Sequence, residues 1–510
     1  MQINVLEYFE RGAMTLHRDK TAVIDQERRF TFSEIGRCAK NCAAMIMQRT
    51  DALNQPVAVF LPKSAETVIA DIGILYSGNC YANLDLKTPP ERLRSILKNL
   101  GPSLIISSAA HAGTLRGLGV PDDQVILVEG AMTPHSSHDA AALTSRMDAV
   151  VDTDPLCIIH TSGSTGIPKG VALNHRSTID FMDWVFQRLE LDGSEVIGSL
   201  SPFHFDIYTL ELYLCLAKGA TLVIVPEHCA AFPLTLLEFI DSQSVSFIFW
   251  VPTIMVNIAN QDLLSIRKPG TLRRVFFAGE VFPTKSLNYW RRHLAGVQFV
   301  NLYGPIEISV DCTFFIVDRD MADDEKLPIG FPCRNTDILV LNEQNQIARG
   351  TETGELCVRG SSLALGYWND PQRTAEAFVQ NPLNPHYPER IYRTGDLVYR
   401  NDRGELMIVG RKDFQIKHLG YRIELGDIEY AVLRLDAIRN ACVVYNRDKK
   451  EIVLFFESAQ ELSSADIRGH LAPFLPKYML PSAFHRIDLM PRNPNGKIDR
   501  QLLATRVSCR

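Results

Sequence analysis

Residues 155–171 read PLCIIHTSGSTGIPKGV: an apolar run, then hydroxyls and glycines, then a proline and a lysine before apolar residues resume. The apolar run has the composition of a buried strand. Thr161, Ser162, Ser164 and Thr165 supply hydroxyl donors, and Gly163 and Gly166 free the backbone to turn tightly. A helical pattern, STIDFMDWVFQRL, begins at Ser177. The spacing predicts a strand, a glycine loop and a helix, an arrangement that aims backbone N–H groups at an anion. Lys169 adds a positive charge. The loop is not a Walker A loop, because Pro168 precedes Lys169 and Gly170 follows it. Alone, such a stretch is also compatible with a surface turn.

Outward from this loop, VAVFL (57–61), SLIIS (103–107) and QVILV (124–128) read as further buried strands. SAETVIADIGILYSGN (64–79) carries helical spacing, and ATLVIV with VSFIFW brackets another helical stretch at 220–250. Strands alternating with helices predict an α/β fold with two parallel-type sheets covered by helices. After about residue 330 the runs DILVL, GELCVRG, IYRTGDLVYR and GELMIVG, separated by turn residues, predict a small β-rich subdomain. A compact α+β tail follows. The expected division is residues 1–412 as a large N-terminal core and 413–510 as a small C-terminal domain.

The 510 residues are too many for one core, and 46% hydrophobic with 22% charged residues is the profile of a soluble globular protein. A net charge of −6 with scattered basic residues argues against nucleic acid as partner. No apolar run approaches the length of a membrane span, and no cleavable leader precedes the first strand, so membrane insertion is not expected. The eleven cysteines are dispersed, with no CxxC pair and no zinc spacing, which reads as a reduced, cytoplasmic protein.

Further motifs carry chemistry. NLYGPIE (301–307) places an amide, an aromatic ring, a Gly-Pro turn and a carboxylate together. Tyr303 suits stacking on a base, and Glu307 suits Mg²⁺ near phosphates or a plain turn. YRTGDLV (392–398) reads as a strand ending in Gly395-Asp396, with Asp396 either accepting from ribose hydroxyls or capping a turn. GRKDFQIKHLGYRIEL puts Arg411 and Asp413 at the domain boundary, and NPNGKIDR (493–500) places Lys497 in a turn near the C-terminus.

In this order these motifs, with FDIYTLEL (205–212) and GELCVRG, resemble the adenylate-forming superfamily over essentially the whole chain. The chain is most similar to the amino-acid adenylation domains of nonribosomal peptide synthetases and their free-standing relatives, including D-alanine:carrier-protein ligases. The resemblance implies two half-reactions. A carboxylate attacks the α-phosphate of ATP and pyrophosphate leaves; a phosphopantetheine thiol then takes the acyl group and AMP leaves. It implies that Thr161, Ser162, Gly163, Ser164, Thr165, Gly166 and Lys169 cradle phosphates. Asn301 and Tyr303 hold adenine, with Gly279 and Gly304 lining the nucleotide. Asp396 and Arg411 meet the ribose or phosphate, Glu307 ligates Mg²⁺, and Lys497 bridges substrate carboxylate and α-phosphate. Asp413 matches the hinge, and Gly420 the entry of the pantetheine arm. One position departs from the family pattern: Ile306 stands where a threonine hydroxyl normally faces the α-phosphate.

Asp206 matches the aspartate that pairs the substrate α-ammonium, or it is a helix N-cap before IYTLEL. A fatty or aryl acid needs no carboxylate there, since burying one unpaired is costly. The resemblance lines the side-chain pocket with Ile207, Leu210, Phe249, Phe276, Ala278, Leu302, Val310 and Asp311. Its large groups favour a small amino acid, with serine or alanine preferred and D-alanine open. Asp311 accepts from a hydroxyl, pairs a basic group or points away. The chain ends soon after the lysine motif, so the expected acceptor is a peptidyl or acyl carrier protein in trans. Two other readings stay open: an acyl- or aryl-CoA ligase, and a weakly active binding homologue.

Overall fold

The strand Pro56–Phe60 is buried along its whole length, and it lies at the centre of a seven-stranded sheet. In the computed structural model, which describes residues 2–133, 139–162, 168–492 and 498–508, this sheet runs in a fixed order. The order is Gly366–Tyr367, Lys169–Asn174, Pro155–Thr161, Cys80–Asn83, Pro56–Phe60, Leu104–Ser107, Val125–Leu127. The last five are linked by parallel pairs. Parallel strands are covered on both faces, which explains why their sequences are continuous apolar runs rather than alternating ones.

A nine-stranded sheet is parallel through Gln298–Tyr303, Arg274–Phe277, Phe247–Trp250, Val196–Ser199, Thr221–Ile224 and Thr21–Asp25. Antiparallel strands close both of its ends. The helix Ile207–Lys218 packs into the core with nearly every residue buried and stops at Gly219, whose φ of 76° is the left-handed cap that glycine adopts without strain. A third, antiparallel sheet carries Thr336–Leu341, Gly354–Gly360, Arg390–Arg400 and Phe378–Gln380, with Leu406–Arg411 paired to Arg390–Arg400. The fold is mixed α/β, with two largely parallel sheets and a small β-rich sheet.

The chain forms two compact units. The first comprises 1–86, 101–159 and 171–412; the second comprises 87–100, 160–170 and 413–510. The second unit thus takes in two segments that lie far earlier in the chain than residue 413. Its C-terminal part builds a hairpin, Gln415–His418 with Tyr421–Glu424, and a three-stranded sheet, Ile438–Asn446, Glu451–Ser458 and Ala483–Arg486. Helices Leu425–Val432 and Ser464–Leu471 pack on a core of Ile428, Val432, Val443, Leu454 and Leu471. Among the described residues no helix is long and apolar enough to cross a membrane. The described cysteines are free and buried.

The glycine loop does not lead directly into a helix, as the spacing predicts. Lys169–Asn174 forms a strand first, and the helix His175–Arg188 follows with Asn174 as its cap, accepting from the Ser177 N–H at 2.7 Å. The apolar VAL stretch after Lys169 is buried and pairs with Gly366–Tyr367, so tertiary pairing replaces the expected helix N-terminus.

Candidate active site

Strand alternation in the nine-stranded sheet sorts the site residues. Phe249 pairs with Phe276 and Phe276 with Val300, so these share one face; Leu302 lies two residues beyond Val300 on that same face. Trp250, Phe277 and Asn301 share the opposite face. On the first face Phe249, Phe276, Ala278, Leu302 and Val310 join one buried cluster with Ile207 and Leu210 of the helix Ile207–Lys218. Phe249 and Phe276 meet edge to face at 6.2 Å between ring centres, and Phe276 meets Phe247 at 4.9 Å. Asp311 is buried beside Val310. Ile207, Leu210, Phe249, Phe276, Ala278, Leu302 and Val310 thus belong to one large buried cluster of the first unit.

Asp206 stands at the head of the helix. Its Oδ1 accepts the Ile207 N–H at 3.0 Å, so the capping alternative is realised in the geometry. The two roles are compatible, since a carboxylate at a helix N-terminus retains its charge. Asp206 is half-buried, at the edge of the apolar cluster rather than inside it.

Among the residues named for the nucleotide, Tyr303 donates its hydroxyl to Asp396, and Arg411 Nη1 lies 2.9 Å from Asp396 Oδ1. Burial, and then the Asp396 charge, push the Tyr303 hydroxyl well above its ordinary value, so it stays a donor. Asp396 does not end a strand. Arg390–Arg400 runs straight through it, with a register shift between Glu355 and Cys357 that bulges residues 394–396. Gly395 takes φ 74° in that bulge, and Thr394 Oγ1 accepts the Asp396 N–H at 3.0 Å. Asn301 is buried and donates to the Pro328 carbonyl at 2.7 Å. Gly279 takes φ 92°.

The turn after Tyr303 is tight because a Cβ on Gly304 would sit 2.4 Å from the Asp311 Cα. Cys312 N–H bonds the Tyr303 carbonyl at 2.8 Å across the same crossing. Glu307 is fully buried in a short 3-10 turn, and Tyr367 donates its hydroxyl to Glu307 Oε1 at 2.9 Å. No cluster of three or more metal-ligating side chains occurs among the described residues. A single carboxylate fits Mg²⁺, which takes one or two protein carboxylates and draws its other ligands from phosphates and water. Ile306 is buried in the core cluster.

In the second unit, Thr161 ends its strand, and Ser162 donates to the Arg422 carbonyl at 2.5 Å while accepting the Glu424 N–H at 3.2 Å. Lys169 is largely buried at the start of its strand. Asp413 accepts the Gln415 N–H at 3.2 Å, and Gly420 takes φ 81° in the hairpin turn. Gly163, Ser164, Thr165, Gly166 and Lys497 lie outside the described residues.

Sequence reasoning missed Tyr367, which holds Glu307, and a buried polar group behind Asp206. Asp71, Asn83, Tyr208, Lys63 and Glu211 gather there. The signal for Asp71 was present in VIADIGILY, where one carboxylate interrupts an otherwise apolar helix.

The family described as AMP-binding enzyme matches residues 9–368, and the AMP-binding enzyme C-terminal domain matches 427–497. Tyrocidine synthase 1 of Brevibacillus parabrevis is 31% identical over 488 residues, covering 95% of this chain and 43% of the synthase. The chain thus spans less than half the length of that relative. Among solved structures, the adenylation domain AlmE of Vibrio cholerae, in complex with glycyl-adenosine-5'-phosphate, superposes with a TM-score of 0.84 at 22% identity, covering 100% of this chain and 98% of that one. NpsA-ThdA, an artificially fused adenylation–PCP di-domain NRPS from Klebsiella oxytoca, gives 0.81 at 22% identity, covering 95% and 94%.

Proposed function

This chain belongs to the AMP-binding enzymes of the adenylate-forming superfamily, and from that premise we propose that it activates a small amino acid as its adenylate and passes it to a carrier-protein thiol. The observation that carries the amino-acid part is Asp206, a half-buried carboxylate capping the helix whose residues Ile207 and Leu210 share a buried apolar cluster with Phe249, Phe276 and Leu302. A cationic α-ammonium beside Asp206 gains a charge-assisted hydrogen bond that a fatty or aryl acid does not offer. The bulk of the phenylalanines favours serine or alanine, of either hand.

In the first half-reaction one oxygen of the amino-acid carboxylate bonds the α-phosphorus of ATP as the bond to the bridging oxygen of pyrophosphate breaks. Positioning and charge neutralisation dominate such a step. Asp396, held by Tyr303 and Arg411, accepts from ribose hydroxyls; Tyr303 offers its ring to adenine; Lys169 and the loop hydroxyls meet the β- and γ-phosphates. Lys497 spans the carboxylate and the α-phosphate. Glu307 is the residue that holds Mg²⁺, which when bound neutralises phosphate charge. In the second half-reaction the thiol of a carrier's phosphopantetheine displaces AMP. Residues 413–510 are the lid that turns at Asp413 between steps, with Gly420 at the pantetheine path. Likeness to a fused adenylation–PCP di-domain NRPS supports a carrier as acceptor.

ATP–pyrophosphate exchange against L- and D-amino acids, with simple fatty and aryl acids alongside, tests this reading. Strong exchange with one small amino acid, abolished in Asp206→Ala, supports it. Exchange restricted to acids without an α-amine moves the chain to the CoA-ligase class, and ATP binding without exchange to any acid marks a binding homologue.

A further inference from the structure

Behind the helix that begins at Ile207 lies a buried hydrogen-bonded group that the reaction chemistry does not use. Asp71, on the helix Ala65–Tyr76, is fully buried. Its Oδ2 accepts the Tyr208 hydroxyl at 2.9 Å and Asn83 Nδ2 at 3.1 Å. The same Asn83 nitrogen donates to the Phe203 carbonyl at 3.2 Å. The Phe203 ring stacks on Tyr208 at 3.9 Å between centres and 18° between planes, and Lys63 lies 5.5 Å over that ring. Asp71 Oδ1 and Asn83 Oδ1 find no hydrogen-bond partner among the described residues.

A core built only for packing does not place a carboxylate in an apolar helix and leave one oxygen unsatisfied, because each such group costs stability. The bonds that are made converge on one segment. Phe203 and Tyr208 bracket Asp206 in sequence, and both are fixed from the same side by Asp71 and Asn83.

We propose that Asp71, Asn83 and Tyr208 form a latch that positions Asp206 for the substrate α-ammonium group, and so govern affinity for the amino acid without touching it. This rests on the amino-acid reading of Asp206 given above. They are positioning residues, not catalytic ones. Asp71→Asn preserves the latch, since one amide oxygen accepts from both Tyr208 and Asn83.

The test is pyrophosphate exchange by the full chain, with KM for the amino acid and for ATP measured separately. Tyr208→Phe removes the donor to Asp71 at nearly constant shape. It is expected to raise the amino-acid KM about tenfold, the size of one lost buried hydrogen bond, while KM for ATP stays within about twofold. Asn83→Ala, which releases the Phe203 carbonyl, is expected to do the same and serves if the tyrosine variant does not fold. Asp71→Ala is expected to match Tyr208→Phe, and Asp71→Asn to restore the wild-type amino-acid KM. Equal rises in both KM values, or no rise in either, overturn the latch. If the wild type exchanges only with acids lacking an α-amine, the underlying Asp206 reading fails instead, and the two failures are separable in one data set.

Discussion

The Tyr303 hydroxyl donates to Oδ2 of Asp396, a carboxylate whose other oxygen lies 2.9 Å from Arg411. The three residues come from a parallel strand, a bulge and the strand paired to it, so this cluster sits at a junction between two sheets of the first unit.

Tyr303→Phe keeps the ring and removes the donor. A buried carboxylate then loses one of its bonds, at a cost of about 1–3 kcal/mol. The urea midpoint should fall, and KM for ATP should rise several-fold with the amino-acid KM unchanged. Urea titration and exchange kinetics on the same preparation check both. A rise confined to the amino-acid KM would place Asp396 away from the nucleotide.

Gly304→Ala puts a methyl group where the Asp311 backbone passes. The 2.4 Å separation from the Asp311 Cα leaves no rotamer to relieve the clash, because Cβ is fixed by the backbone. The chain from Val310 to Cys312 must move, at a cost of about 1–3 kcal/mol or more. Since Val310 and Asp311 are proposed to line the pocket, the variant should lose exchange for the amino acid even where it remains folded. Circular dichroism with exchange assays separates the two effects.

Much of this was legible in the chain. The runs PVAVF, LIIS and FIFW are apolar throughout because parallel strands are buried on both faces, and each proved a strand where the pattern placed it. Of the residues named by motif, sheet register sets Phe249, Phe276 and Leu302 on one face. Two features were not legible. KGVALN reads locally as a prelude to a helix, and only its pairing with Gly366–Tyr367 makes it a strand. Asp396 looked like the end of a strand because Gly395 is a turn residue, whereas a bulge absorbs its positive φ inside the strand. The Asp71 latch joins positions 137 residues apart, a pairing no local pattern contains.

Lys497→Ala should abolish adenylation almost completely while ATP affinity changes little. The lysine's proposed contacts are to charge that develops as the carboxylate attacks, so its loss is felt in kcat. Exchange assays with parallel nucleotide-binding titrations decide it; full exchange in the variant removes Lys497 from the chemistry.

Ile306→Thr restores a hydroxyl where the family pattern carries one. Ile306 is 6% exposed in the core cluster, so the swap should cost about 1–2 kcal/mol of stability. The exchange rate should hold or rise. A large loss of rate in a folded variant would show that the pocket has been rebuilt around the isoleucine.

Asp71 gives a pH dependence with a definite sign. Burial raises its carboxyl to about 7, against about 3.9 in an unfolded chain. Between those values the unfolded state gives up the proton and the native state keeps it. Rising pH therefore favours unfolding: the contribution is fully present below the unfolded value and is lost as pH climbs to the folded one. Asp71→Asn cannot ionise and lacks this slope. Its stability relative to the wild type should increase with pH across that window, by at most about 1.4 kcal/mol per unit. Urea midpoints of the two proteins at several pH values between about 4.5 and 7 measure the difference directly. A difference that stays flat would mean that Asp71 is ionised in the folded protein, and the Tyr208 hydroxyl would then be bonded to a charge rather than to a neutral acid.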